Sequence, residues 1–283
     1  MSDNTALRIG LTQWRATKNL ESNLQLALRM VADTAQQGAD LVLLPENGLF
    51  LGSNQEMREA ALSLDSPAID ALRAASAKAG VVTIIGGFKC RSPDAISNKA
   101  LVIGTDGSIV GGYDKIHLFD ARVGGQSFEA SRVEKSGECP AILEVKGVKV
   151  GLTICYDVRF PELYRRLALA GAQVMIVPSA FTQVTGEAHW EVLLRARAIE
   201  SGAYVIASAT IRGEDGSDAF PTYGHALAVD PWGKVLVDLG ETRAGCKVVP
   251  IETEKVEKAR TSLPVLRGVQ PESIARDPVL LTA

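Results

Sequence analysis

The segment Val148–Glu162, VKVGLTICYDVRFPE, constrains the fold more than any other stretch of the chain. A β-branched apolar run stops abruptly at Cys155, and Pro161 opens a helix-compatible stretch six residues later. A strand that turns this sharply into a helix belongs to a layered α/β architecture, and the residue at the turn can project from the sheet's carboxyl edge into a cleft. A thiol in that position lies near backbone N–H groups that favour a thiolate, which makes Cys155 a candidate nucleophile. An inert packing cysteine fits the same position, because free cysteines are often simply buried.

Strand-like and helix-like patterns alternate along the rest of the chain. Leu7–Trp14, Leu41–Leu44 and Val81–Phe88 read as strands, and Leu20, Leu24, Leu28 and Val31 recur at helical spacing before Gly38. Ser66 followed by Pro67 reads as a helix N-cap, with that helix running to Lys78. Thr105-Asp106-Gly107-Ser108 and Lys146-Gly147 are hairpin turn signals between apolar runs. In the second half, helices are expected over Pro161–Ala170 and Glu187–Ser201, and strands over Gln173–Val177, Tyr204–Ala209, His225–Val229 and Lys234–Leu239. Hairpins beside strand–helix–strand units imply mixed sheets. With no linker or repeat to divide it, residues 1–283 are expected to form one domain.

Composition excludes several function classes. The net charge is −3 with both signs interspersed, so nothing suggests a nucleic-acid or anionic membrane surface. The N-terminus MSDNTALRIG has no signal-peptide pattern, and no apolar run is long enough to span a bilayer. Cys90, Cys139, Cys155 and Cys246 are far apart with no C-x-x-C pair, which argues against a zinc or disulfide framework and for a reducing cytoplasm. Only His117, His189 and His225 could complete a Cys–His dyad.

Two further residues sit at strand ends. Glu46 follows LVLLP directly, where an apolar approach could raise its pKa and make it a usable base; a solvated loop glutamate is the alternative. Lys115, in YDKIHLFD, could stabilise an oxyanion and favour a nearby thiolate, or simply be an exposed loop lysine.

PENGLF around Glu46, YDKIHLFD around Lys115 and GLTICYDVRFPEL around Cys155 resemble, in order and spacing, the three signatures of the nitrilase superfamily of carbon–nitrogen hydrolases. The resemblance implies a Glu46–Lys115–Cys155 triad on a four-layer α-β-β-α sandwich with mixed sheets. It implies attack of the Cys155 thiolate on an amide, with Lys115 and the Tyr156 backbone N–H holding the oxyanion, and no metal or organic cofactor. The family's second glutamate falls on Glu129, with Glu134 as the lesser alternative. Three residues are expected to contact substrate. Arg159 could bind a carboxylate bidentately or pair with a protein carboxylate, and Phe160 and Phe181 could wall the pocket or belong to the core. Arg195 and Arg197 share a helix with Glu191 and Glu200 and read as a salt-bridged face.

Tyr156-Asp157 after the cysteine, the segment from Pro178 to Glu200 and Tyr223-Gly224-His225 look like the Nit-type amidases. Deaminated glutathione is the leading expected substrate; 2-oxoglutaramate (an ω-amidase) and N-carbamoyl or other amides are alternatives. A silent scaffold or an acyltransferase would be a different class. Relatives of this kind pair through helices, so a homodimer or larger homo-oligomer is expected, with Pro161–Ala170 and Glu187–Ser201 at the interface.

Overall fold

The first half of the chain forms β1 (Leu7–Trp14), α1 (Leu20–Gln36), β2 (Leu41–Leu43), α2 (Asn54–Glu59), α3 (Pro67–Ala79), β3 (Val82–Arg91), β4 (Ile96–Ile103) and β5 (Ile109–Asp114), of which α2 was not expected. A short hairpin of β6 (Asp120–Val123) and β7 (Gln126–Glu129) follows. The second half contains β8 (Ala141–Val145), β9 (Val148–Leu152), a 3-10 turn over Cys155–Arg159, α4 (Pro161–Leu169), β10 (Val174–Ile176) and α5 (Gln183–Ser201). It ends with β11 (Tyr204–Ala207), β12 (Ala209–Thr210), β13 (Leu227–Val229), β14 (Val235–Asp238), β15 (Gly245–Ile251) and α6 (Thr253–Ser262). This computed structural model describes residues 7–213 and 220–268, together with 270, 275–278 and 280; both ends of the expected 1–283 domain lie outside that set.

Local chemistry accounts for these boundaries. Asn19 caps α1 by accepting from the Ser22 N–H, and Thr182 caps α5 by accepting from the Thr185 N–H, so α5 begins four residues before the predicted start. Ser66 is the N-cap of α3, but its side chain makes no capping hydrogen bond; Pro67 at the first helical position sets the start instead. Gly80 and Gly202 end α3 and α5 in the left-handed conformation.

The strands assemble into two main sheets. The first runs β12-β1-β2-β3-β4-β5, with β15 antiparallel to β1. The second runs β14-β13-β11-β10-β9-β8. Both are mixed: β1, β2 and β3 pair in parallel, as do β9, β10 and β11, whereas β3-β4-β5 and β8-β9 are antiparallel hairpins. Inner faces of the two sheets share one core, in which Leu7, Ile9, Leu11, Leu41, Leu43 and Ile84 join Val150, Leu152, Val174 and Ile176. That core continues to Leu163, Leu167, Trp190 and Leu194 on α4 and α5. The outer face of the first sheet packs Val42, Ile85 and Leu101 against Leu24, Val31, Ile69 and Leu72 of α1 and α3. The layer order is therefore helices, sheet, sheet, helices, as the sequence predicts. Burying each of these aliphatic side chains contributes about 1.5–3 kcal/mol, so the inter-sheet core is the main force that holds the two sheets face to face. Among the described residues no helix is long and apolar enough to cross a membrane.

Candidate active site

Glu46, Lys115 and Cys155 meet in the structure. Each lies just beyond the carboxyl end of a strand: Glu46 three residues after β2, Lys115 directly after β5, and Cys155 three residues after β9. Lys115 Nζ donates to Glu46 Oε1 at 2.8 Å, and both side chains are almost wholly buried. Asn98 Nδ2 donates to the same oxygen at 3.0 Å, and the Ala180 N–H donates to Oε2 at 2.9 Å. The Cys155 thiol lies within electrostatic reach of the Glu46 carboxylate and the Ala180 N–H. Glu46 depends on Gly87 for its place. That glycine has φ 61°, and a Cβ on it would lie 2.9 Å from each of Glu46 Cγ, Asn98 Oδ1 and Ile154 Cγ2.

Cys155 itself has φ 47°, a left-handed conformation that is uncommon and strained for a residue with a Cβ. Its N–H donates to the Pro178 carbonyl at 2.9 Å, which ties the turn to the end of β10. The Tyr156 N–H, at the start of the 3-10 turn, has no acceptor among the described residues. It is free to meet a developing oxyanion.

The charge states follow from this packing. Burial would raise the Glu46 pKa, as its apolar approach suggests in the sequence, but Lys115 and then Lys89 outweigh it and bring the carboxyl from 4.5 to about 2. The expected raised carboxyl is corrected on that ground. Lys115 is held firmly protonated: burial opposes its charge, and Glu46, Cys155 and Glu134 more than compensate. The Cys155 thiol is pushed well above its ordinary range by burial and by the Glu46 carboxylate, with Lys115 acting in the opposite direction. Lys115 does favour the thiolate, as expected, but it does not prevail. The resting cluster is a carboxylate, an ammonium and a neutral thiol.

These groups form the base of a cavity of about 720 Å³, within the usual range for small-molecule sites. A second buried ion pair, Lys89 Nζ to Glu134 Oε1 at 2.5 Å, lies beside the first and also lines the cavity. Of the two glutamates considered, it is Glu134, not Glu129, that lines the cavity. Glu129 ends β7, has a half-exposed side chain and pairs with Arg132 at 2.8 Å outside the cavity.

Arg159 reaches the cavity wall, its guanidinium 5.1 Å from the Phe181 ring centre and 5.8 Å from that of Tyr156. Its polar neighbour is His189 Nδ1 at 3.3 Å, and among the described residues no carboxylate pairs with it. Phe181 lines the cavity and Phe160 does not: its ring stacks on His117 at 3.6 Å. The missing wall comes from aromatic residues that the sequence did not single out. Phe119 packs on Phe128 and Tyr156 at 5.0 Å each, and Phe128 packs on Phe220 at 5.2 Å. Phe128 lies on the β6–β7 hairpin and Phe119 directly before it, in a stretch too short and polar to show a strand pattern, and Phe220 comes from the loop between β12 and β13. Arg195 and Arg197 pair with Glu191 and Glu200, as the helix spacing predicts.

The match to known proteins agrees with this geometry. The carbon-nitrogen hydrolase family model matches residues 8–261. Deaminated glutathione amidase from Synechocystis sp. is 38% identical over 263 residues, covering 90% of this chain and 95% of the relative. The protein of that name from Mus musculus is 36% identical over 283 residues, covering 96% and 87%. Among solved structures, the C. elegans NitFhit protein has a TM-score of 0.86 at 33% identity over 95% of this chain, which spans 66% of that longer protein. An amidase from Nesterenkonia sp., with a covalent adduct on its active-site cysteine, has a TM-score of 0.79 at 26% identity, covering 96% of this chain and 97% of that one. By the extent of these matches, the chain belongs to the carbon–nitrogen hydrolase family and is an enzyme of the amidase type.

Proposed function

We propose that this chain hydrolyses deaminated glutathione to 2-oxoglutarate and cysteinylglycine through an acyl-thioester on Cys155. The observation that carries the reading is the buried Glu46–Lys115–Cys155 cluster at the base of a cavity whose wall holds Arg159, a cation that no carboxylate among the described residues pairs with. Arg159, braced by the Tyr156 and Phe181 rings, takes the carboxylate of the 2-oxo acid portion, and its fork geometry suits a bidentate pair. The name shared by the relatives in Synechocystis and mouse supports this substrate over 2-oxoglutaramate.

The charge states explain how the reaction proceeds. Glu46, held near 2, is a weak base, and the thiol is a reluctant acid, so free proton transfer in the resting enzyme is unfavourable. Transfer becomes favourable as sulfur bonds to the amide carbon, because the negative charge then moves to the carbonyl oxygen, where Lys115 and the Tyr156 N–H meet it. Glu46 takes the thiol proton and passes it to the departing amine. It then removes a proton from the water that hydrolyses the thioester. Glu134, paired with Lys89 and acting on Lys115 through its charge, keeps the lysine charged and in place.

The test is release of 2-oxoglutarate from deaminated glutathione and from 2-oxoglutaramate in parallel, with Cys155→Ala as the blank. Efficient turnover of the first substrate, absent from the blank, is the expected result. Preference for 2-oxoglutaramate would make the enzyme an ω-amidase, and turnover by Cys155→Ala would refute the cysteine mechanism. The chain is further read as a cytoplasmic homodimer that joins through α4 and α5. Its free cysteines suit a reducing compartment, and Leu169, Val192 and Ile199 leave apolar surface exposed on those helices.

A further inference from the structure

Asp157 is wholly buried two residues after the thiol, has no lysine or arginine partner among the described residues, and takes no part in the proton transfers above. Its carboxylate accepts four hydrogen bonds. One comes from its own turn, Ile154 N–H to Oδ2 at 2.8 Å. The other three come from the segment that carries Lys115: Tyr113 O–H to Oδ2 at 2.9 Å, His117 N–H to Oδ1 at 3.1 Å, and His117 Nδ1 to Oδ1 at 2.7 Å. The Tyr113 hydroxyl also accepts from the Ile116 N–H at 3.1 Å, so the residues on both sides of Lys115 are fixed relative to one carboxylate. Phe160 stacks on the His117 ring at 3.6 Å, with 6° between the planes, and holds the imidazole flat against this arrangement.

We infer that Asp157 is a positioning residue that clamps the strained Cys155 turn of one sheet to the Lys115 segment of the other. The inference rests on the catalytic reading above. Two features require a clamp here. The left-handed conformation at Cys155 persists only where surrounding bonds over-determine it. Lys115 and Cys155, moreover, come from different sheets, and the inter-sheet core that joins them is apolar and non-directional. An ionised carboxylate suits the task because it only accepts, and every group facing it can donate. An asparagine of the same shape would turn an N–H₂ toward donors and leave them unmatched, while the shape of the core stayed the same.

The test compares Asp157→Asn, Tyr113→Phe and His117→Ala with the wild type, reading kcat and KM on deaminated glutathione and, separately, the alkylation rate of Cys155 by iodoacetamide, resolved by peptide mass spectrometry. The alkylation rate does not depend on the assigned substrate. It also separates positioning from stability, since a loosened fold exposes a buried thiol and speeds alkylation. The expected result for Asp157→Asn is a kcat lower by about a hundredfold or more, KM little changed, and slower alkylation. Tyr113→Phe and His117→Ala, each of which removes one donor, should show smaller losses in the same direction, and they decide the matter if Asp157→Asn does not fold. Wild-type kcat in these variants, a loss confined to KM, or alkylation as fast as or faster than wild type would overturn the inference. A Cys155→Ala variant that turns over would instead overturn the catalytic reading beneath it.

Discussion

Replacing Glu46 by Gln should make Cys155 more acidic while it sharply lowers turnover. In the wild type the thiol is pushed up by burial and by the Glu46 carboxylate, and Lys115 spends its charge on that carboxylate at 2.8 Å. Glutamine keeps the shape, removes the negative charge and leaves the buried ammonium without its nearest partner. At a separation of about 4 Å and an effective dielectric constant of about 20, an unopposed Lys115 favours the thiolate by about 4 kcal/mol, or about three pH units. The assay is titration of thiolate ultraviolet absorbance in wild type and Glu46→Gln, each with its Cys155→Ala counterpart subtracted. The expected midpoint lies lower in Glu46→Gln by up to that amount. Turnover should fall by about 10²–10⁴-fold, because glutamine cannot carry the thiol proton to the leaving amine. A thiol that titrates at the same or a higher pH in Glu46→Gln would refute the charge assignment.

Other outcomes follow from the same arrangement of charges and packing. Glu46 has its folded pKa depressed from 4.5 to about 2, so its stabilising effect is present above about pH 4.5 and is lost as pH falls toward 2; denaturant titrations should show roughly 3 kcal/mol less acid sensitivity in Glu46→Gln than in wild type. Glu134→Gln should reduce kcat by tenfold or more, on the order of a lost buried charge pair, whereas Glu129→Gln on the surface should leave steady-state kinetics unchanged. Gly87→Ala should destabilise the fold by about 1–3 kcal/mol and lower kcat, because its φ is left-handed and its Cβ would press on Glu46, Asn98 and Ile154; thermal melts and kinetics together check this. Light scattering at micromolar concentration should give a dimer, and Val192→Asp on the exposed face of α5 should convert it to monomer.

The three residues were legible singly because each follows a strand, and as a triad only because PENGLF, YDKIHLFD and GLTICYDVRFPEL resemble the three signatures of one family. Glu134 was harder. It follows a 3-10 turn in a stretch without hydrophobic period, so only the fold brings it to Lys89, 45 positions earlier in the chain. The raised pKa expected of Glu46 failed for a similar reason: the apolar strand before it is local, whereas Lys115 is 69 residues away. Two late elements were also missed. β15 contains Pro250, which weakens a strand reading, yet β15 pairs on one side only and an edge tolerates the missing donor. α6 buries only Val256 and Ala259, too few residues to show a helical apolar stripe.

The division of the site between sheets links its chemistry to the fold. Glu46, Asn98 and Lys115 belong to the first sheet or its loops, and Cys155 and Ala180 to the second. Neither half can move a proton alone, since the thiol and its base face each other across the inter-sheet core. A change in that core is therefore a change in catalytic geometry. Ile154, fully buried and adjacent to the nucleophile, is the sharpest case, since its Cγ2 bounds the same space at Gly87 as Glu46 Cγ. Ile154→Val keeps Cγ2 but trims Cδ1 and so loosens the packing of the whole side chain, at a stability cost of about 0.5–1.5 kcal/mol, too little to unfold a domain of this size. If the sheets are held in register by packing near the site, kcat should fall in Ile154→Val while the equivalent trim at Ile69, in the outer core beneath α3, leaves kcat unchanged at a similar loss of stability. Equal kinetics in the two variants would mean that polar contacts alone set the geometry of the site.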